Sequence, residues 1–197
     1  MGGVMRVLIG CERSRVVAAA FEARGHEVLS CDIEPARQPG AHYEGDVFDV
    51  IDFPWDLAIF HFPCTHSSVS GAKHFAKKKL DGRYYAGNAL WLNGWRRAMH
   101  IPRVCFEHPV SVISTLFRKA DQTIQPWQYG HAETKATCLW LRGLPLLQPT
   151  NIVDGRENRI HRMAPSDDRA EKRSESYTGI AEAMATQWGE LAQAAAA

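Results

Sequence analysis

The chain has 197 residues, 45% of them hydrophobic and 23% charged, and its 23 basic and 22 acidic side chains leave a formal charge of +1. That length can bury a sizeable core. The near-neutral balance excludes nucleic-acid binding through a global positive field, so any polynucleotide contact must come from a local basic patch. No apolar run approaches a bilayer span and the opening MGGVMRVLIG carries no secretory pattern, so neither a membrane partner nor export is expected. The five cysteines are odd in number, with no CxxC pair, which argues against a disulfide framework and fits a reducing cytoplasm.

In chain order, MRVLIG at 5–10 reads as a buried strand, followed by an Ala-rich helix over 14–24 with Ser14 as N-cap and Gly25 as its stop. HEVLSCDIEP is a second strand with an acidic end, GDVFDV a turn, and WDLAIFHFPC a third apolar run ending at Pro63. A helix over 84–99, a strand RVCFEHP stopped by Pro109, a strand in CLWLRGLP and a helix over 179–191 complete the pattern. Residues 148–176 read as a basic surface loop. Strand, helix, strand at this spacing predicts an α/β fold: a single Rossmann-like domain around a doubly wound, mostly parallel sheet.

Three groups of residues carry chemistry. In doubly wound sheets a ligand sits at the carboxyl ends of the strands. Gly10 with the loop Cys11-Glu12-Arg13-Ser14 would meet such a ligand at the first helix N-terminus, Asp32 would take ribose hydroxyls, and Asp46 an amino group. There is no GxGxxG, and a generic α/β domain with a solvated acidic turn fits these residues as well. In HFPCTHSSVSG at 61–71, Cys64 reads as a nucleophile at the sheet edge or as a small buried hydrophobe. Zinc held by His61, Cys64 and His66 would lack a fourth group. In FEHP, Glu107 ends an apolar strand, where burial would raise its pKa and let it donate to a ring nitrogen. Its bland alternative is a carboxylate satisfied by a helix N-terminus or an arginine. A soft nucleophile for pyrimidine carbon-6 beside a proton donor for ring nitrogen 3 would make carbon-5 reactive toward a methyl sulfonium.

On these motifs the chain resembles the DNA cytosine-5 methyltransferases, and more closely their short phage- and prophage-type relatives. VLIGCERSRVVAAAFEARGHEVLSCDIEP is similar to the family's opening cofactor motif, GDV to its adenine-contacting acid, and FPCTHSSVSG to its Pro-Cys motif. FEHP stands where the family has Glu-Asn-Val or Glu-Asn-Pro, YGHAETKATCLWL resembles the segment of paired arginines, and SYTGIAEAMATQW the closing motif. The resemblance implies a class I methyltransferase-like fold and S-adenosylmethionine held by Gly10, Cys11, Glu12, Arg13, Ser14, Asp32, Ile33, Asp46, Val47 and Pro63, with Gly179 and Ile180 of the closing motif. It implies three catalytic residues: Cys64 attacks carbon-6 of cytosine in DNA, Glu107 serves ring nitrogen 3, and Lys135 is the catalytic cation at the core of its segment. Thr65, Ser68, Ser70, Lys73, His108, Arg159 and Arg162 would contact substrate or nucleic acid, in a bacterial or phage-infected cytoplasm.

The chain departs from the family in three places. His108 replaces the Asn, the paired arginines are missing, and 148–176 stands in place of a target-recognition domain, whose reading surface a homodimer could supply. The basic loop, with Arg156, Arg159, His161, Arg162, Arg169, Lys172 and Arg173, clamps phosphates or is simply solvated, since Glu157, Asp167, Asp168 and Glu171 interrupt it. Lys73, Lys77, Lys78 and Lys79 form a second basic patch. Trp91, Trp95 and Trp140 read as core, and Trp127 as the aromatic to examine for base contact. Two alternatives accompany DNA methylation: a methyltransferase acting on a free pyrimidine nucleotide, and a degenerate cofactor- or nucleic-acid-binding relative acting against host defence.

Overall fold

The computed structural model describes residues 3–158 and 176–191. A seven-stranded sheet is built from β1 (Arg6–Gly10), β2 (Glu27–Asp32), β3 (His42–Glu44), β4 (Leu57–Phe60), β5 (Arg103–Pro109), β6 (Gln122–Ile124) and β7 (Thr137–Arg142), in the order β3-β2-β1-β4-β5-β7-β6. Six strands point the same way, β1 to β5 through parallel pairs, and β7 runs antiparallel to both its neighbours, β5 and β6. Among the described residues the α-helices are α1 (Val16–Glu22), α2 (Phe75–Leu80), α3 (Arg83–Arg97), α4 (Ile113–Leu116) and α5 (Thr178–Gly189). Among the described residues no helix is long and apolar enough to cross a membrane.

The central strands are unbroken apolar runs because both faces of the sheet are covered. Val7, Ile9, Leu57 and Ile59 pack with Val17, Ala18 and Phe21 of α1 and with Ile180, Ala181, Met184 and Trp188 of α5. Leu8, Ala58, Phe60, Phe106 and Trp140 face the other way, onto Trp91 of α3. The chain leaves β1 for β2 and β3, then returns to β4 on β1's opposite side. That reversal puts the topological switch point between the carboxyl ends of β1 and β4.

The sequence expectations hold for the long elements and fail at one cap. α1 begins at Val16, and its N-cap position is Arg15, not Ser14. The carboxylate of Glu12 does the capping, accepting from Val17 N at 2.7 Å and Ala18 N at 3.1 Å. Arg15 adopts a left-handed φ of 57° and is fully buried. Its guanidinium bonds Ser30 Oγ, the Pro39 carbonyl and Glu22, tying α1 to β2 and the following loop.

Candidate functional site

The register of the sheet explains where the titratable groups meet. Tyr43, Cys31, Gly10, Phe60, Phe106 and Trp140 are paired in one line across six strands. One step further toward the carboxyl edge stand Asp32 of β2, His61 just after β4 and Glu107 of β5. Neighbours on a parallel row point to the same face. Cys11, the residue that follows β1 on that step, has a left-handed φ of 59° and leaves the strand direction.

His61 is fixed from both sides. Its backbone N–H donates to the Gly10 carbonyl at 2.9 Å, and its Nδ1 lies 2.8 Å from Glu107 Oε2. The two side chains are only 12% and 21% exposed. Burial pushes the Glu107 carboxyl up, but the His61 hydrogen bond and the charges of His61 and Lys135 outweigh it and hold the pKa below the ordinary range. Burial likewise disfavours the His61 imidazolium, yet the bond and charge of Glu107 and the charge of Glu12 leave its pKa raised. The expectation from sequence, a carboxyl raised by burial alone, is therefore corrected: Glu107 is ionised because a histidine stands on the same row.

Lys135 reaches this edge because β7 is antiparallel to β5. Thr137, which opens β7, pairs with Pro109, which closes β5, so the residues before β7 flank the carboxyl edge. The Lys135 N–H bonds Gln125 Oε1 at 3.0 Å, and its ammonium lies 5.4 Å from the centroid of Tyr177, whose hydroxyl bonds Glu133. Gly179, two residues on, sits against the Tyr129 carbonyl, where a Cβ would come within 1.9 Å. Its N–H donates to His131 Nε2 at 3.1 Å, anchoring the start of α5 beside the Lys135 segment.

Cys64 lies on the loop that leaves β4 after Pro63. Its carbonyl accepts from Ser67 N at 3.1 Å and Ser68 N at 2.9 Å, closing a turn. Ser67 Oγ lies 2.7 Å from His108 Nε2. Val69 N to Val110 O and Val112 N to Ser67 O, each 3.0 Å, stitch the loop to the chain beyond β5. His108 is thus a buried brace of the Cys64 loop, rather than the substrate contact assigned to it by resemblance. Burial drives its pKa down to about 4, so it braces as a neutral ring. Lys78 is 9% exposed and its ammonium donates to the Thr65 carbonyl at 2.5 Å. It belongs to the loop's support, not to the basic surface patch in which the sequence grouped it. Thr65, Ser70 and Lys73 are exposed, and Ser68 Oγ pairs with Ser70 Oγ at 2.9 Å.

On the cofactor side, Asp32 and Asp46 flank Cys11, whose thiol is pushed well up by burial and then by the charges of Asp32, Cys31 and Asp46. Asp46 accepts from Phe48 N at 2.9 Å and Asp32 from Glu34 N at 3.1 Å. A Cβ on Gly10 would come within 2.9 Å of both Phe60 and Val47, so glycine is demanded there by packing. Arg13 pairs with Glu34, Ser14 Oγ bonds Glu12 at 3.2 Å, and Ile33 is exposed. Val47 and Ile180 are buried, their side chains committed to the two cores. Glu12, 4% exposed, faces α1 and not a ligand cleft.

Trp91 and Trp140 are core and Trp95 packs against them. Trp127 carries the Arg156 guanidinium 3.8 Å from its ring centroid. Arg159 and Arg162 lie outside the described residues, as does most of the basic loop. Among the described residues no three His, Cys, Asp or Glu side chains are arranged to hold a metal ion. The chain matches no protein-family model and no curated protein.

Proposed function

We propose that the protein transfers a methyl group from S-adenosylmethionine to carbon-5 of cytosine in DNA, on a class I methyltransferase-like fold. The observation that carries the reading is the assembly of the Cys64 loop and the Glu107 carboxylate on adjoining strand ends beside the switch point, one braced by His108 and the other by His61. When bound, S-adenosylmethionine supplies a methyl group on a positively charged sulfur. The Cys64 thiolate would add to carbon-6, Glu107 would hold the proton at ring nitrogen 3, and carbon-5, made nucleophilic, would take the methyl group. A water-assisted base then takes the carbon-5 proton, and the sulfur–carbon bond breaks.

The residues present suit that cofactor. Two carboxylates, Asp32 and Asp46, lie near Cys11 at the carboxyl edge and would supply acceptors for hydroxyl and amino groups. A helix N-terminus at the first βα turn would ordinarily attract a phosphate. Here the Val17 and Ala18 amides are already taken by the Glu12 side chain, which leaves them no free donor for a phosphate. This favours a cofactor without phosphates over a dinucleotide.

The test is mass spectrometry for 5-methylcytosine in DNA from cells expressing the wild-type protein or Cys64→Ser. Modified cytosine with the wild type and none with the variant is expected. Transfer that survives in Cys64→Ser would refute the mechanism. Methylation of a free nucleotide that an oligonucleotide fails to compete would redirect the reading to the smaller substrate, which the formal charge of +1 favours.

A further inference from the structure

His61 has one ring nitrogen in use and one without a partner. Nδ1 is bonded to Glu107, while Nε2 is buried and meets no hydrogen-bonding group. Such a ring is costly to bury unless its charge is balanced. The balance comes from three directions. Glu107 faces it from β5, Glu12 acts on it from the β1–α1 loop, and Lys135 opposes both from the segment before β7. Glu12 is immobile, both its oxygens being held by α1 amides. Burial raises the Glu12 pKa, against the opposing pull of the His61 charge and of the α1 amides, so the Glu12 carboxylate and the His61 imidazolium favour one another. Glu107 in turn is faced by His61, Lys135 and His108, the last of which stays neutral.

We propose, resting on the reading above, that His61 is a positioning residue that orients Glu107 and supplies the proton Glu107 presents to the pyrimidine. The resting pair holds one proton, on the imidazole. As the Cys64 sulfur bonds to carbon-6, the proton leaves Nδ1 for the Glu107 carboxylate and passes from the carboxyl to ring nitrogen 3. The added electron pair is thereby neutralised and His61 is left uncharged. When the sulfur–carbon bond breaks, the proton returns by the same path, so the cycle consumes none. The register is what allows this: Phe60 of β4 pairs with Phe106 of β5, so His61 and Glu107, each the next residue along, are cross-strand neighbours.

The variant that isolates the role is His61→Asn, whose amide keeps a donor near the position of Nδ1 but has no proton to give. It should fold as the wild type does, bind S-adenosylmethionine unchanged in calorimetry, and lose about 100-fold in kcat, the lower end of what a positioned proton donor supplies. Its alkaline limb should also move to lower pH, because Glu107 alone must then hold the proton. A second measurement needs no activity: NMR titration of the His61 ring in the wild type and in Glu107→Gln. A high midpoint that drops in Glu107→Gln supports the shared proton; a ring that ignores that substitution overturns it. An active His61→Asn with an unaltered pH profile overturns the proposal for His61 alone. A wild type that moves no methyl group, while its two titrations remain coupled, overturns the assigned reaction instead.

Discussion

Replacing His108 with Gln separates the neutral brace of the Cys64 loop from its titration. His108 is 1% exposed and its pKa is lowered from 6.5 to about 4 by burial. Between those two pH values the unfolded chain binds a proton at position 108 that the folded chain refuses, so stability falls as the pH drops through that window. A tenfold difference in proton affinity between the two states is worth about 1.4 kcal/mol, so crossing the whole window costs the wild type about 3 kcal/mol. Gln offers a nitrogen toward Ser67 without titrating. His108→Gln should therefore be about 1 kcal/mol less stable at pH 7.5 through imperfect packing. It should overtake the wild type as the pH approaches 4.5. His26 and His66, whose pKa values are also lowered, and His61, whose pKa is raised, titrate in both proteins and cancel in the difference. Urea unfolding at a series of pH values from 7.5 to 4.5 gives that difference directly. Parallel stability curves for the two proteins would refute the assignment of a buried neutral imidazole.

Glu12→Gln replaces one capping oxygen with an amide that cannot accept from α1, leaving a buried donor unmet; a loss of about 1–3 kcal/mol is expected. Thermal unfolding checks it, and an unchanged midpoint would mean that the cap is not made. Gly179→Ala pushes a methyl into the Tyr129 carbonyl and should cost about 1–3 kcal/mol by displacing the start of α5. Near-ultraviolet circular dichroism alongside thermal melts would detect both effects, and a wild-type melt would argue against the close approach.

Much of the fold is legible because its central strands are unbroken apolar runs ending in Gly, Pro or acid. β3 and β6, three residues each, carry too little pattern to announce themselves, and β3 lies at the sheet edge with its residues part-exposed. The direction of β7 is equally silent in the sequence, and it alone explains how Lys135 comes near Glu107. Cys64 and Glu107 are visible as motifs. His61 suggested only a metal ligand, because its partnership depends on register, which no local pattern encodes. Ser14 misled for a different reason. It has the better capping propensity, but a buried carboxylate two residues earlier reaches both amides.

The row shared by Asp32, His61 and Glu107 at the carboxyl edge also sets how this edge can change. Gaining or losing a single residue within β4 would rotate His61 to the opposite surface and shift everything after it, Pro63 and Cys64 included, by half a pleat. Point substitutions can retune the charges along the line, whereas length changes in these strands dismantle it. Insertions are better borne at exposed points of the connections, such as 34–35, which leave the line intact.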